Sequence, residues 1–147
     1  MSAAWRRGAA LAFAALASLG ARGEVTAREA WVRGTVPAQK STGAFMTLTS
    51  SEDAKLVGVA TPAAKRIEIH TSSMQSGVVQ MQALEAIDLP AGKPVQLRPG
   101  GHHLMLLGLT GALKEGDSVP LTLTIEGRER KRTKVEVKAV VRPLAAR

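Results

Sequence analysis

Residues 65–84 are Lys-Arg-Ile-Glu-Ile-His-Thr-Ser-Ser-Met-Gln-Ser-Gly-Val-Val-Gln-Met-Gln-Ala-Leu, and they predict a β-hairpin. Polar and apolar residues alternate from Lys65 to His70, which is typical of a strand with one buried face. Ser76-Gly77 is a turn signal, and strand-favouring residues resume from Val78 to Leu84.

The position of the turn also predicts the register of this hairpin. The expected pairs are Gln75 with Val78, Ser72 with Met81 and His70 with Ala83. His70 and Met81 are then diagonal neighbours on one face, about 7–8 Å apart at the backbone. A metal ion bonded to both side chains at about 2.0–2.4 Å fits between them.

A second pair of candidate ligands follows the turn Pro99-Gly-Gly101. Residues i and i+2 of a strand share a face, so His103 and Met105 project together while Leu104 points into the opposite layer. The turn places this pair near a strand end, at the rim of the fold. His102 points away from His103, and we interpret it as a surface residue or as support for the ligands.

The remaining chain shows short strand patterns separated by turn residues, with no sustained helical period. Strands spaced every 8–12 residues are typical of an all-β sandwich or barrel. The sequence therefore predicts an all-β domain of about eight or nine strands. The nine segments are 25–32, 44–49, 55–60, 65–70, 78–84, 95–98, 102–109, 119–126 and 133–141.

The first 23 residues predict a secretory signal peptide, which leaves residues 24–147 as one domain. Arg6-Arg7 precedes a short apolar run from Ala9 to Leu19, and small residues surround a cleavage site near Gly23. The run is shorter than the ~20 residues that span a bilayer. We expect a periplasmic protein, with an uncleaved anchor or an amphipathic helix as the alternatives.

Charge does not indicate a nucleic-acid partner. The net charge is +8, and removal of the three arginines of the predicted signal peptide leaves +5. Much of this charge lies between Arg128 and Lys134, without the interleaved aromatic residues that stack on bases. We interpret this run as a solvated hairpin turn. We expect the protein to be a monomer that contacts membranes only through its partner.

The side chains from His70 to Met105 favour a soft metal ion. This window contains all three histidines and three of the five methionines, and the chain has no cysteine. A thiolate copper or zinc site is therefore excluded, whereas thioether and imidazole together favour Cu(I). Each residue also has an ordinary structural role, since methionine often fills gaps in a core, as expected for Met46.

These residue patterns alone leave four functional classes open. They are a copper carrier, a copper-sequestering protein, a metal-free β-sandwich binding module and an enzyme. We expect no enzyme, because the sequence shows no Ser-His-Asp order, no paired carboxylates in a polar segment that would suit acid–base catalysis and no cysteine nucleophile.

The spacing of these residues resembles the motif of the periplasmic copper chaperones called PCuAC. That motif is a His, ten residues, a Met, twenty-one residues and His-x-Met, which His70, Met81 and His103-Leu-Met105 match without a gap. Three further segments resemble the family. They are Ala30-Trp-Val-Arg33, Gly43-Ala-Phe-Met-Thr-Leu48 and Pro99-Gly-Gly-His-His-Leu-Met-Leu-Leu-Gly-Leu109.

The resemblance implies a cupredoxin-like Greek-key β-sandwich that binds one Cu(I) ion. The implied ligands are His70, Met81, His103 and Met105, and relatives often have a methionine at the position of Met74. The implied function is copper delivery to the binuclear copper site of cytochrome c oxidase. The implied partner is a copper-accepting oxidase subunit or another copper chaperone.

Overall fold

The computed structural model describes residues 24–145, so the predicted signal peptide lies outside the described residues. Alternating residues build ten strands, and residues 24–145 contain no α-helix. The strands are β1 (Val25–Arg33), β2 (Ser41–Ser50), β3 (Ala54–Ala60), β4 (Ala64–Gln75), β5 (Val78–Leu84), β6 (Ile87–Leu89), β7 (Val95–Leu97), β8 (His102–Leu109), β9 (Ser118–Glu126) and β10 (Arg132–Arg142).

The structure contains one strand more than the nine predicted segments. The additional strand is β6, whose three residues are too few to give a clear alternation before Pro90. Strand β4 also continues to Gln75, five residues beyond the end of its alternating segment at His70. These five residues are mostly polar because they extend into solvent with β5, so hydrophobic alternation could not indicate them.

The strands form one hydrogen-bonded path in the order β5-β4-β8-β2-β1-β10-β9-β3-β6, with β7 also paired to β2. Strand β1 pairs in parallel with β10, and the other strand pairs are antiparallel. The path folds over on itself to enclose one core. This arrangement is the predicted cupredoxin-like Greek-key β-sandwich.

Alternation along β8 separates the core from the outer face of the sheet. Leu104 and Leu106 are fully buried in the core with residues such as Leu48 and Leu123. Burial of each such side chain contributes about 1.5–3 kcal/mol. Met46 is also in this core, as its apolar strand predicted. The intervening residues of β8 therefore project from the outer face.

The turn between β4 and β5 has the predicted register. Ser76 and Gly77 have φ of +51° and +79°, and positive φ at both central positions is typical of a two-residue type I′ turn. All three predicted pairs are present, namely Gln75 with Val78, Ser72 with Met81 and His70 with Ala83.

The basic run forms the predicted solvated turn between β9 and β10. Residues 128–131 are exposed. Arg132 contacts Glu126 at 3.2 Å, while Arg128 lies 3.9 Å from Glu52. Surface pairs of this kind contribute little to stability. Within residues 24–145, no helix is long and apolar enough to cross a membrane.

Candidate metal centre

The four predicted ligands lie on one face of the adjacent strands β5, β4 and β8. His70 of β4 is directly opposite His103 of β8. Glu68, two residues before His70 on β4, is opposite Met105 of β8. Ser72, two residues after His70, is opposite Met81 of β5. Residues two apart share a face of a strand, so both histidines and both methionines project from the same side.

The two histidines form the buried centre of this arrangement. Their ring centroids are 5.8 Å apart, and their planes meet at 69°. His103 is 4 % exposed, and the side chain of His70 is 16 % exposed. Nδ1 of His70 and Nε2 of His103 are both buried, and neither has a hydrogen-bond partner among the described residues. A buried polar atom left in this state costs about 1–3 kcal/mol, which a ligand on the two nitrogens would offset.

Hydrogen bonds to the other ring nitrogens define where the lone pairs lie. Nδ1 of His103 is 3.0 Å from the carbonyl oxygen of Gly101, which can only accept, so this nitrogen carries the proton. Nε2 of His70 is 3.0 Å from Oε1 of Glu68 and donates to that carboxylate. In the neutral imidazoles the two remaining nitrogens therefore carry the lone pairs that metal ligation requires.

Glu68 is held in its ionised form by its neighbours. The hydrogen bond from His70 lowers the pKa of the Glu68 carboxyl, and the hydrogen bond from Arg66 lowers it further. The Arg66 Nε to Glu68 Oε2 distance is 3.1 Å. Arg66, Glu68 and His70 thus form a chain along the outer face of β4, in which the carboxylate orients the imidazole. Strand alternation by itself places Glu68 on the face of His70 and does not indicate this contact.

The two thioethers differ in their access to solvent. Met105 is half-buried beside His103, whereas Met81 is 57 % exposed on the terminal strand of the sheet. Met74 shares this face but lies opposite Val79, further toward the turn. The centre therefore combines two buried nitrogens with one sheltered and one accessible sulfur-bearing side chain.

His102 is separate from this centre. Its Nδ1 is 3.0 Å from the Thr71 hydroxyl on the other face of the sheet, as alternation predicted for a residue next to His103. Within the described residues, no three histidine or carboxylate side chains gather in a way that could hold a metal ion. The thioethers of Met81 and Met105 are the further candidate ligands on the face of His70 and His103, and thioethers select Cu(I) over hard cations.

An aromatic wall supports His103, although none of its residues was predicted to belong to the site. The centroid of the Phe45 ring lies 6.3 Å from that of the His103 ring and 4.5 Å from that of the Trp31 ring, and all three residues are buried. Gly43 provides the space, because a Cβ there would lie 2.8 Å from Cζ of Phe45. The signal for this wall was a glycine within an apolar strand, which often marks close packing.

Two arginines cover the outer side of this wall. The guanidinium of Arg142 lies 4.9 Å from the centre of the Trp31 ring, and that of Arg33 lies 5.4 Å from the centre of Phe45. These are cation–π distances. The two arginines thus shield the aromatic pair on a face of the sheet that otherwise meets solvent.

Comparison with known proteins identifies the family of the chain and a curated relative. The family model described as "Putative lipoprotein LpqE-like" matches residues 25–140. The curated "Putative lipoprotein Lxx21020" of Leifsonia xyli subsp. xyli (strain CTCB07) is 32% identical over 100 residues, which are 67% of this chain. The chain spans 60% of the length of that relative.

Two solved structures share the fold. The solution structure of CuI-DR1885 from Deinococcus radiodurans is 34% identical with a TM-score of 0.63, over 87% of this chain and 85% of that one. The copper-bound PCuAC domain from PmoF2 is 20% identical with a TM-score of 0.66, over 84% of this chain and 96% of that domain. The predicted resemblance to PCuAC proteins is thus confirmed for the fold.

Proposed function

The chain belongs to the LpqE-like family, and from this premise we propose that it is an exported copper(I) chaperone. The observation that carries the proposal is the pair of buried nitrogens on His70 and His103 that lack hydrogen-bond partners among the described residues, with Met81 and Met105 on the same face. The copper-bound state of a 34% identical protein of the same fold supports it.

In this proposal one Cu(I) ion is the cargo of the site. Nδ1 of His70, Nε2 of His103 and the thioethers of Met81 and Met105 would hold it. All four groups are neutral, so the bound ion keeps its single charge, as suits a soft monovalent metal. The buried nitrogens provide affinity, whereas the exposed Met81 is the ligand that an acceptor can replace.

The family and the sequence support the proposed location and recipient. Lipoprotein relatives and the predicted signal peptide over residues 1–23 support a protein of the bacterial envelope, in the periplasm. The resemblance to PCuAC chaperones supports delivery toward the binuclear copper site of cytochrome c oxidase. The partner would be an oxidase subunit or another copper chaperone, and the protein itself would act as a carrier rather than as an enzyme.

Copper titration tests the site. The mature protein is titrated with Cu(I) under reductant against a chromophoric chelator, together with Met81→Ala and His103→Ala. We expect one ion per chain and an affinity at least about tenfold weaker in each variant, because each loses one ligand. His102→Ala is the matched control and retains full affinity. Unchanged affinity in both ligand variants would refute the site.

A transfer assay separates delivery from sequestration. The copper-loaded protein is mixed with the soluble copper domain of an oxidase, and the metal content of each protein is measured after separation. Copper that moves to the acceptor supports the chaperone function. Copper that stays with this protein would instead identify it as a sequestering protein.

A further inference from the structure

Strand β5 forms a long sheet edge that no described element covers. It pairs only with β4, at one end of the strand path, and six of its seven residues are exposed. Proteins usually protect such edges with charges, prolines or short strands. The opposite end of the path is protected in this way, because β6 has three residues with Asp88 at its centre and Pro90 after it. Strand β5 has neither charge nor proline.

The backbone of Met81 faces this open edge. The amide of Ser72 donates to the carbonyl of Gly101, the residue before β8, so the polar groups of Ser72 point away from β5. Ser72 is opposite Met81, and in an antiparallel ladder the two members of such a pair both direct their N–H and C=O groups outward. The same alternation gives Val79 and Ala83 outward-facing amides and carbonyls.

The sequence of β5 is complementary to itself. Val78-Val-Gln-Met-Gln-Ala-Leu84 has two apolar residues, a glutamine, the central Met81, a glutamine and two apolar residues. In an antiparallel pair centred on Met81, each glutamine is opposite a glutamine and each apolar residue is opposite an apolar one. The three residues with outward backbone groups also meet one another, since Val79 is opposite Ala83 and Met81 is opposite its own copy.

Charge does not oppose this pairing. Residues 71–84 contain no charged side chain, although the whole chain has a net charge of +8. Val78, Val79 and Met81 are each more than half exposed, so the pairing would remove apolar surface from water. An uncharged, self-complementary edge fits a second copy of the same strand better than it fits an acidic or basic partner.

We propose that β5 is the interface of a transient two-fold dimer of this chain, centred on Met81. This differs from the monomer expected from the sequence. Two opposed residues of such a pair have Cα atoms about 5.5 Å apart and side chains on one face. The partner's Met81 would therefore lie beside Met81, on the face that carries His70 and His103.

A role in copper exchange follows, and this part rests on the proposed function. A thioether from the second copy would lie next to the most accessible ligand of the first site. Copper could then pass between copies by exchange of one methionine for the other, with no change in charge or oxidation state. The pairing of the strands themselves does not depend on copper.

Sedimentation of the metal-free mature protein from about 10 μM to about 1 mM tests the interface, because weak complexes dissociate in this range. We expect reversible dimers. Gln80→Lys with Gln82→Lys places lysines opposite each other and should weaken association about tenfold. Gln80→Lys with Gln82→Glu places opposite charges together in both copies and should restore it.

The charge swap is the decisive comparison, because both double variants change the same exposed positions. A wild-type protein that stays monomeric up to about 1 mM, or a swap that fails to restore association, would overturn the proposed pairing. Met81→Leu keeps the apolar shape and should dimerise like the wild type while it loses copper affinity. Normal dimers with unaltered copper binding in this variant would refute the copper site but not the proposed dimer.

Discussion

His70 and His103 lie directly opposite each other on β4 and β8, and each presents a buried ring nitrogen without a hydrogen-bond partner in the part of the chain that the structure describes. The remaining nitrogen of each ring is bonded, to Glu68 in one case and to the carbonyl of Gly101 in the other. In the metal-free fold, these two nitrogens are thus available to a ligand. Because the two buried nitrogens lack hydrogen bonds without a ligand, a metal ion that binds them should also stabilise the fold.

Copper should therefore stabilise the fold. A Cu(I) ion that binds only the native state, present at 100 times its Kd, raises the free energy of unfolding by about 2.7 kcal/mol. We expect thermal unfolding under reductant to show a higher Tm with Cu(I) for the wild type and for His102→Ala. His103→Ala should show little increase, and an equal increase in that variant would contradict the site.

Glu68 should influence affinity through the orientation of His70. Loss of a carboxylate that orients a metal-bound histidine typically weakens binding by about 10–100-fold. We expect a loss of this size in Glu68→Ala and a smaller loss in Glu68→Gln, whose amide oxygen can still accept from Nε2. Competitive Cu(I) titration measures the affinities, and the ¹⁵N shifts of His70 report its tautomer. Glu85→Ala removes an exposed carboxylate and serves as the control.

The Glu68 carboxyl should titrate at lower pH than an ordinary glutamate in the metal-free protein. The hydrogen bond from His70, and then that from Arg66, lowers its pKa. Because the folded pKa is lowered, this contribution to stability is present above the pKa of the unfolded state and is lost as pH falls through the folded pKa. Carbon-13 NMR should show the midpoint rising in His70→Ala. An unchanged midpoint would exclude the hydrogen bond as the cause.

Gly43→Ala should disturb the aromatic wall beside His103. Its Cβ would lie 2.8 Å from the Phe45 ring, and overpacking of this kind costs about 1–3 kcal/mol. Denaturant unfolding measures the cost, and the emission of Trp31 reports the displaced ring. Gly58→Ala is the matched control, because its nearest neighbour would lie 3.8 Å away. Equal stability of the two variants would mean that Phe45 moves aside without cost.

Leu104 should be essential for the stability of the ligand-bearing strand. It is fully buried in the core between His103 and Met105, and a Leu→Ala change at such a site costs about 2–5 kcal/mol. Urea unfolding should show this loss in Leu104→Ala. Leu144→Ala, at a half-exposed position near the chain end, should unfold like the wild type. A small loss in Leu104→Ala would show that the core collapses around the cavity.

Most strands and the register near the site were predictable because local rules determine them. A nearly all-apolar run identified β8, alternation identified the first half of β4, and the turn residues Ser76 and Gly77 determined how β4 pairs with β5. The position of His103 opposite His70 was not predictable in the same way. It depends on β4 lying between β5 and β8, which is a tertiary arrangement that joins segments far apart in the sequence.

The supporting residues were harder to identify than the candidate ligands. Trp31 and Phe45 are apolar residues in strands, and the sequence alone suggests core positions for both. The structure places them on the outer face, where Arg33 and Arg142 cover them. Their contact with the site depends on the neighbouring positions of β1, β2 and β8, which single-strand patterns do not contain.

The two-residue turn at Ser76-Gly77 gives a physical meaning to the ten residues between His70 and Met81. The spacing measures the length of a hairpin, because the turn determines which side of the sheet each residue of β5 faces. An insertion within the turn that leaves Gln75 paired with Val78 would keep Met81 on its side of the sheet, whereas a one-residue insertion between Val78 and Met81 that shifts the later residues of β5 would turn Met81 to the opposite side. Homologous sites should therefore tolerate a longer turn between the two strands, and a search restricted to ten residues would overlook them.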